Sequence, residues 1–237
     1  MKLDILSALN TERAARRAAV VVTNVATGEQ RLLKAAEATR DPLKAVLGER
    51  LRSGKSGMVD TADGRVFLTV YVPAAQLVAI GAVHISQALA PIAKLLGYDV
   101  TIVDPRTAFA SAERFPDVKV IAEWPDKALP TLGIDRYTAF VALTHDPKID
   151  DPALMYALAR DCFYIGALGS RKTHGRRVDR LKQQGSRDAA ISRVHAPIGL
   201  DIGAVSPAEI AVAIMAQITA SLHKEPQADQ PLVEAVS

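Results

Sequence analysis

The stretch CFYIGALGSRKTHGRR, residues 162–177, decides the fold of this chain. A short apolar run leads into a turn of small residues, and a strongly basic segment follows. A strand, a small-residue turn and a helix N-terminus in this order are typical of an anion-binding turn, because free N–H groups and the helix dipole point at the ligand. The residues of this predicted turn are Gly166, Gly169, Ser170, Arg171 and Lys172.

The basic segment itself allows two interpretations. Six of the side chains from 171 to 182 are basic and only Asp179 is acidic, while Val178 and Leu181 are the clearly apolar ones. A helix with so narrow an apolar stripe is either an ordinary solvated surface helix or a surface that binds an anion or a partner. Its position directly after the glycine turn favours binding, and its composition favours the solvated surface.

Outward from this stretch, strand and helix patterns alternate from about residue 76. We expect strands at 77–80, 100–103, 118–122, 139–143 and 163–165, and further helices at 85–96, 151–161 and 206–222. This alternation predicts an α/β fold, a Rossmann-like parallel sheet with helices on both faces. Ligands of such sheets bind in the crevice beyond the carboxyl ends of the strands.

The first 75 residues have a different pattern. Two short helical patterns and four strand patterns before Pro73 indicate a small α+β module. We therefore expect an N-terminal module at 1–75, the Rossmann-like domain at 76–223 and a disordered tail at 224–237. The tail is polar and contains two prolines, a composition that cannot build a packed core.

The composition limits partners and compartment. With 237 residues, a net charge of +3 and 5% aromatic residues, the chain has too small a charge surplus and too few rings to indicate a nucleic-acid partner. No stretch reaches the roughly 18 apolar residues of a membrane span, and the N-terminus lacks a signal peptide's apolar core. We expect a cytoplasmic protein without a membrane partner, and a homodimer is left open. The single cysteine, Cys162, is expected to be a buried small side chain rather than a sulfur carrier.

The turn after the first expected strand is altered relative to a dinucleotide site. The segment Gly81-Ala82-Val83-His84-Ile85-Ser86 lies where a dinucleotide fold has G-x-G-x-x-G, and Asp104 lies where an acid would bind a ribose. Val83 and Ser86 replace the second and third glycines, and a branched side chain at 83 would hinder backbone approach to a pyrophosphate. The sequence predicts the geometry of a dinucleotide fold, with NAD(P) as an alternative ligand.

Histidines and acids follow several expected strand ends. His84 begins a helix, and Thr144-His145-Asp146 follows the fourth strand, either as an oriented imidazole or as an ordinary loop. His195 precedes a loop with Gly199 and Asp201, which either closes over the crevice or is a structural turn. We predict no metal site, because nothing in the sequence shows three ligands converging.

Three segments resemble the XdhC/CoxI family: GALGSRKTHGRR at 166–177, HAPIGLDIGA at 195–204 and SPAEIAVAI at 206–214. The resemblance covers about residues 76–222 and is to the C-terminal domain of these maturation factors for xanthine dehydrogenase and carbon monoxide dehydrogenase. It implies a Rossmann-like protein that binds molybdenum cofactor, as molybdopterin or in its dinucleotide form. Such a protein presents the cofactor to a cysteine desulfurase and helps to insert it into the apo molybdenum hydroxylase.

The resemblance also implies roles for particular residues. The turn at Gly169-Ser170-Arg171 would take the phosphate, Arg106 and Lys172 would add charge-assisted hydrogen bonds, and three histidines would donate to pterin or oxo groups. Family members often carry an N-terminal glycine-rich, cysteine-containing motif, which this chain lacks. The expected cofactor-binding residues are Gly81, His84, Asp104, Arg106, His145, Asp146, Gly166, Gly169, Ser170, Arg171, Lys172, His195, Gly199 and Asp201.

These roles need no proton transfer and no nucleophile, so we expect a carrier rather than an enzyme. Two other functions remain open from the sequence. One is an NAD(P)-dependent oxidoreductase, which the strand pattern and Asp104 would suit. The other is a docking protein whose basic helix holds a partner without touching the cofactor.

Overall fold

The computed structural model describes residues 1–223, so the predicted disordered tail at 224–237 lies outside the described residues. The chain divides into two compact units, Met1–Pro73 and a second that begins at Ala74. Each unit has its own buried apolar clusters. Within the described part, no helix is long and apolar enough to cross a membrane.

The first unit is a four-stranded antiparallel sheet with two helices. Its strands are β1 (Ala19–Asn24), β2 (Gln30–Lys34), β3 (Gly57–Thr61) and β4 (Gly64–Tyr71), and its α-helices are α1 (Leu3–Ala14) and α2 (Lys44–Ser53). A 3₁₀ helix covers Ala35–Arg40. The strand order is β2-β1-β4-β3, and Val20, Leu47 and Leu68 form the centre of one buried face.

The second unit alternates strands and helices. Its strands are β5 (Gln76–Ile80), β6 (Asp99–Val103), β7 (Lys119–Ile121), β8 (Thr138–Ala142), β9 (Tyr164–Ala167) and β10 (Val194–His195). Its α-helices are α3 (His84–Leu95), α4 (Pro125–Ala128), α5 (Pro147–Leu158), α6 (Arg171–Gln183), α7 (Asp188–Ile191) and α8 (Pro207–His223). A short 3₁₀ helix covers Leu129–Thr131.

The six strands of this unit form one parallel sheet in the order β7-β6-β5-β8-β9-β10. Counted within the unit this is the order 3-2-1-4-5-6, the doubly wound order of Rossmann folds, and it confirms the predicted fold class. The strand order reverses between β5 and β8. A ligand is therefore expected beyond the carboxyl ends of these strands, where the flanking loops diverge.

Helices cover both faces of this sheet, as predicted. Alternate residues of β5 point to opposite faces: Leu77 packs in one cluster and Val78 in the other. On the first face α3 and α8 contribute apolar side chains such as Ile214. On the second, α5 contributes Leu154 and α6 contributes Leu181. Because both faces are covered, the strands read as nearly continuous apolar runs.

One helix begins earlier than expected. The sequence contains Asp-Pro twice, and the prediction placed the helix start at Asp151-Pro152 rather than at Asp146-Pro147. In the structure the Asp146 carboxylate caps α5 by accepting the N–H of Lys148 at 2.9 Å, with Pro147 at the first helical position. This prediction was wrong because both dipeptides carry the same start signal.

Three short elements were missed altogether. Strand β10 has two residues, Val194 and His195, paired with Ile165 and Gly166 of β9. Helices α4 and α7 have four residues each. Elements of this length contain less than one or two periods of any pattern, so hydrophobic periodicity carries no signal for them.

Candidate functional site

The predicted site residues follow the carboxyl ends of five different strands. Gly81 comes after β5, Asp104 after β6, His145 after β8, Gly169 after β9 and Gly199 after β10. In a parallel sheet these ends lie along one edge. The fold therefore brings the predicted residues to the same rim of the second unit, around the position where the strand order reverses.

The turn after β5 is tightly constrained at Gly81. Its φ is +111°, and a Cβ placed there would lie 2.8 Å from Cγ2 of Thr144. The N–H of Gly81 donates to the carbonyl of Val103 at 2.8 Å, and the N–H of Ala82 donates to Oδ2 of Asp104 at 2.7 Å. The first glycine of the dinucleotide pattern is thus required by backbone geometry and by contact with the next loop.

Asp104 holds this turn together from a fully buried position. Besides Ala82, its carboxylate accepts the backbone N–H of Arg106 at 2.9 Å and the guanidinium of Arg106 through Nε at 2.9 Å and Nη2 at 2.7 Å. Burial raises the pKa of Asp104, but the hydrogen bonds from Arg106 and Ala82 outweigh it, and the net pKa is lowered. Both Asp104 and Arg106 are therefore engaged with each other.

Ser86, in place of the third glycine, completes this closure. Its buried hydroxyl accepts the N–H of Val83 at 3.3 Å and donates to the carbonyl of Gly81. Arg114 donates to the carbonyl of Ala82 at 2.9 Å. The N–H groups at Ala82 and Val83, which a pyrophosphate would use in a dinucleotide fold, thus already have acceptors inside the protein. Arg114 was missed, since nothing in its spacing connects it to this turn.

The turn after β9 has a different arrangement. Gly169 has a φ of +132°, and Ser170 caps α6 by accepting the N–H of Thr173 at 3.2 Å. Arg171 and Lys172 occupy the first two helical positions, and both are exposed. N–H groups at these positions have no acceptor within an α-helix. Helix α6 therefore presents free donors and two basic side chains at the predicted anion-binding turn.

Arg177 is a functional candidate that the sequence reasoning missed. It is only 2% exposed, and its Nη2 donates to the carbonyl of Leu168 at 2.8 Å. Its Nε and Nη1 are buried and have no hydrogen-bond partner among the described residues. Helical spacing could have found it, because Arg177 shares a face with Val178 and Leu181. Burial lowers its pKa, while the nearby Asp150 and Asp151 raise it.

Asp150 is a second buried charge at this edge, and it too was missed. It is 1% exposed and accepts the Thr144 hydroxyl at 2.7 Å and the N–H of His145 at 3.0 Å. Burial raises its pKa against the effect of these hydrogen bonds. Asp150 holds His145 in the left-handed region, at a φ of +64°. The Asp146 carboxylate caps α5, so its bond runs to the helix backbone.

The three candidate histidines occupy different settings. His84 and His145 are exposed at the starts of α3 and of the loop after β8. The ring of His195 stacks on that of Tyr164, with centroids 4.8 Å apart and planes within 11°. Among residues 1–223, no three His, Cys, Asp or Glu side chains are grouped as metal ligands.

The loop after His195 packs against α8. Gln217 accepts hydrogen bonds through Oε1 from the Tyr164 hydroxyl at 2.6 Å and from the N–H of Gly199 at 2.8 Å. A Cβ at Gly199 would lie 3.1 Å from that of Ala213. Gly199 is therefore needed for close packing of this loop on the helix, while Asp201 is exposed beyond it.

Cys162 lies at the amino end of β9, away from the turn that follows this strand. Its thiol is buried, and burial raises its pKa to about 11. A thiol with this pKa is protonated at neutral pH and is a poor nucleophile. Its surroundings are those of a small apolar side chain.

Comparison with known proteins places the second unit in a family. The family model described as the XdhC Rossmann domain matches residues 77–218. The chain belongs to the XdhC family. This confirms the resemblance seen in the three sequence segments and covers the unit that carries the candidate site.

Three curated relatives match at similar levels of identity. The uncharacterized protein YqeB of Escherichia coli (strain K12) is 32% identical over 175 residues, 72% of this chain and 32% of that protein. A probable xanthine dehydrogenase component of Bacillus subtilis (strain 168) is 30% identical over 154 residues, 65% of this chain and 44% of that protein. The molybdenum cofactor insertion chaperone PaoD of E. coli (strain K12) is 30% identical over 154 residues, with 65% and 42% covered.

A solved structure matches nearly the whole chain. It is described as a xanthine dehydrogenase from Bacillus halodurans, and it aligns with 95% of this chain and 66% of its own at a TM-score of 0.66 and 22% identity. At that identity the match shows a shared fold. The chain spans less than half the length of each of the three curated relatives.

Proposed function

We propose that this protein is a maturation factor that binds molybdenum cofactor and delivers it to a molybdenum hydroxylase of the xanthine or carbon monoxide dehydrogenase type. Membership of the XdhC family supports this, as does the name of PaoD, a molybdenum cofactor insertion chaperone. The structural observation that carries the proposal is the turn between β9 and α6. It combines free helix N–H groups with basic side chains at the carboxyl edge of a Rossmann sheet.

The cargo has a chemistry that this edge suits. Molybdenum cofactor carries a phosphate, extended in some forms to a dinucleotide, beside an oxidation-sensitive metal dithiolene. The phosphate would lie against Ser170, Arg171 and Lys172, where the helix dipole and two cations stabilise negative charge. Exposed His84 and His145 and the stacked His195 would donate to the pterin or to oxo groups.

In this role the chain carries its cargo without transforming it. The thiol of Cys162 is buried, with its pKa raised to about 11, so this chain offers no thiolate to transfer sulfur. A cysteine desulfurase acting on the bound cofactor would supply the sulfur, and the apo hydroxylase would be the acceptor. Desulfurase and hydroxylase are thus the proposed partners.

The test is to purify the protein anaerobically from a host that makes the cofactor, then to measure pterin fluorescence and metal content. We expect substoichiometric molybdopterin in the wild type and a loss of about tenfold in Arg171→Ala, because a charge-assisted phosphate contact is removed. The matched control is Arg187→Ala. It removes another exposed arginine, one that lies beyond the far end of α6, about 20 Å away along the helix.

Two results would contradict this proposal in different ways. No pterin in the wild type would remove the function. Pterin retained at the wild-type level in Arg171→Ala, Gly169→Val and His195→Ala together would keep the function but move the site elsewhere.

The same preparation also tests the two other functions. An oxidoreductase needs its pyrophosphate seat, and in the turn after β5 the N–H groups at Ala82 and Val83 are engaged within the protein. Titration with NADH and NADPH should therefore show no binding in the micromolar range. A docking protein would instead form a salt-sensitive complex with the hydroxylase through α6, with no pterin bound.

A further inference from the structure

Two arginines on neighbouring turns of α6 have opposite bonding. Arg180 pairs with Asp151 through two N–H groups, Nε to Oδ2 and Nη2 to Oδ1, the latter at 3.1 Å. Arg177 is more deeply buried, and it has a single hydrogen bond, to a backbone carbonyl. The more exposed arginine is thus satisfied, while the buried one has unpaired donors among the described residues.

The guanidinium of Arg177 lies beneath the anion-binding turn. Side chains on a helix lean toward its N-terminus, and Nη2 reaches the carbonyl of Leu168 just before Gly169. A Cβ at Gly169 would lie 3.9 Å from this same Nη2. The buried cation is therefore next to the backbone that would receive an anion.

The protein does not itself neutralise this cation. Asp150 attracts Arg177 electrostatically, but its carboxylate oxygens accept hydrogen bonds from Thr144 and His145. Among residues 1–223 no carboxylate lies within salt-bridge distance of Arg177. A buried charge with unmet donors is costly to fold, and such groups are retained where a ligand completes their bonding.

We propose that Arg177 is the buried phosphate-binding residue of the turn between β9 and α6. One edge of its guanidinium donates two hydrogen bonds to a phosphate oxyanion, and the N–H groups of Arg171 and Lys172 donate to the same group from the helix end. The turn opens at Gly169, whose lack of a side chain lets the backbone move off Nε and Nη1. The inference rests on the proposed function in that the phosphate is the cargo's.

A purely structural role for Arg177 makes different predictions. Holding the Leu168 carbonyl uses one of the five N–H groups of a guanidinium, and a lysine could do the same with its ammonium. Phosphate binding uses the planar fork, which lysine lacks. Arg177→Lys therefore separates the two roles, since it keeps the charge and loses the fork.

The experiment uses the full chain from a host unable to make molybdopterin, titrated with inorganic phosphate at low salt by calorimetry and by ³¹P NMR. We expect phosphate affinity to fall by about tenfold in Arg177→Met and about threefold or more in Arg177→Lys, as lost charge-assisted hydrogen bonds require. Arg176→Met is the matched control. It removes an exposed arginine from the same helix, and it should change the affinity by less than about twofold, in keeping with solvent screening.

Equal phosphate binding by the wild type and Arg177→Met overturns the inference, and so does a wild type without saturable binding. Circular dichroism checks the fold of each variant. If Arg177→Met does not fold, Arg177→Lys carries the test and must weaken binding. Pterin content is measured separately: phosphate binding that depends on Arg177 in a protein that never carries pterin keeps this site and removes the proposed function.

Discussion

The turn after β5 and the turn after β9 share an outline and differ in their internal bonding. Each places a glycine with positive φ, Gly81 or Gly169, after a buried strand and before a helix. In the first, side chains of the protein accept the N–H groups and donate to the carbonyls. In the second, the helix donors are free, and Arg177 below them lacks partners among the described residues.

This difference teaches where anion binding resides in this Rossmann unit. A dinucleotide fold uses the free N–H groups of its first turn to bind a pyrophosphate. Here Asp104 and Ser86 supply the acceptors that a pyrophosphate would otherwise provide. The first turn is thus closed and structural, and the donors available for a ligand follow the fifth strand of the unit in chain order.

The largest effect is expected from Gly81→Ala in the closed turn. The new Cβ would need a positive φ, which costs about 1–2 kcal/mol, and would lie 2.8 Å from Cγ2 of Thr144, an overpacking cost of about 1–3 kcal/mol. We expect the free energy of unfolding to fall by about 3 kcal/mol, the sum of these two costs. Urea unfolding followed by Trp124 measures it, because this single tryptophan lies in the second unit.

The control for this variant is Gly185→Ala. Gly185 also has a positive φ, +94°, but nothing lies within 4 Å of its added Cβ. It should therefore lose only the backbone contribution, about 1–2 kcal/mol. Equal losses in the two variants would show that Thr144 does not restrain the turn, and the closed turn would then be no more constrained than an ordinary helix end.

The contrast between the turns also explains what the sequence could and could not predict. The Rossmann class followed from alternating strands and helices, since each pattern spans several residues and repeats along the chain. The anion-binding turn at Gly169 and Ser170 followed from a local signal, small residues before a helix. Local order of this kind is written in consecutive residues, and the structure contains the glycine turn and the helix cap.

The bonding of the two turns depends on residues far apart in sequence. Ala82 meets Asp104 across 22 positions, and Arg114 reaches Ala82 across 32. Asp104 fits a ribose-binding acid by position, and only the structure shows Arg106 and Ala82 bonded to its carboxylate. Arg177 looked like one more surface cation, although its helical phase with Leu181 places it on the buried face.

A second prediction concerns the charge that closes the first turn. Asp104→Asn removes a buried carboxylate that accepts four N–H groups, and hydrogen bonds to charged groups contribute about 1.5–3 kcal/mol. We expect a loss of about 2 kcal/mol at neutral pH, because the amide keeps part of this bonding. The pKa of Asp104 is lowered in the folded protein, so the unfolded chain takes up the proton first as the pH falls.

The sign of the pH effect follows from this shift. The stability that Asp104 contributes is complete above the ordinary carboxyl pKa of about 3.9 and is lost as the pH falls through its lowered folded value. The difference between wild type and Asp104→Asn should therefore shrink below about pH 4. Asp150, whose pKa burial raises, should show the opposite slope, with its contribution declining as the pH rises. Parallel pH curves for wild type and Asp104→Asn would contradict this account.

The smallest expected effect separates the open turn from an ordinary helix cap. Ser170 and Asp146 cap α6 and α5 in the same way, each accepting one backbone N–H. Replacing either by alanine should lower the free energy of unfolding by about 1 kcal/mol. If the turn after β9 binds the phosphate, only Ser170→Ala should also weaken phosphate binding, because only this cap borders Arg171 and Arg177. Equal loss of phosphate affinity in Asp146→Ala would place the anion nearer the turn after β8 and remove the asymmetry between the two helix starts.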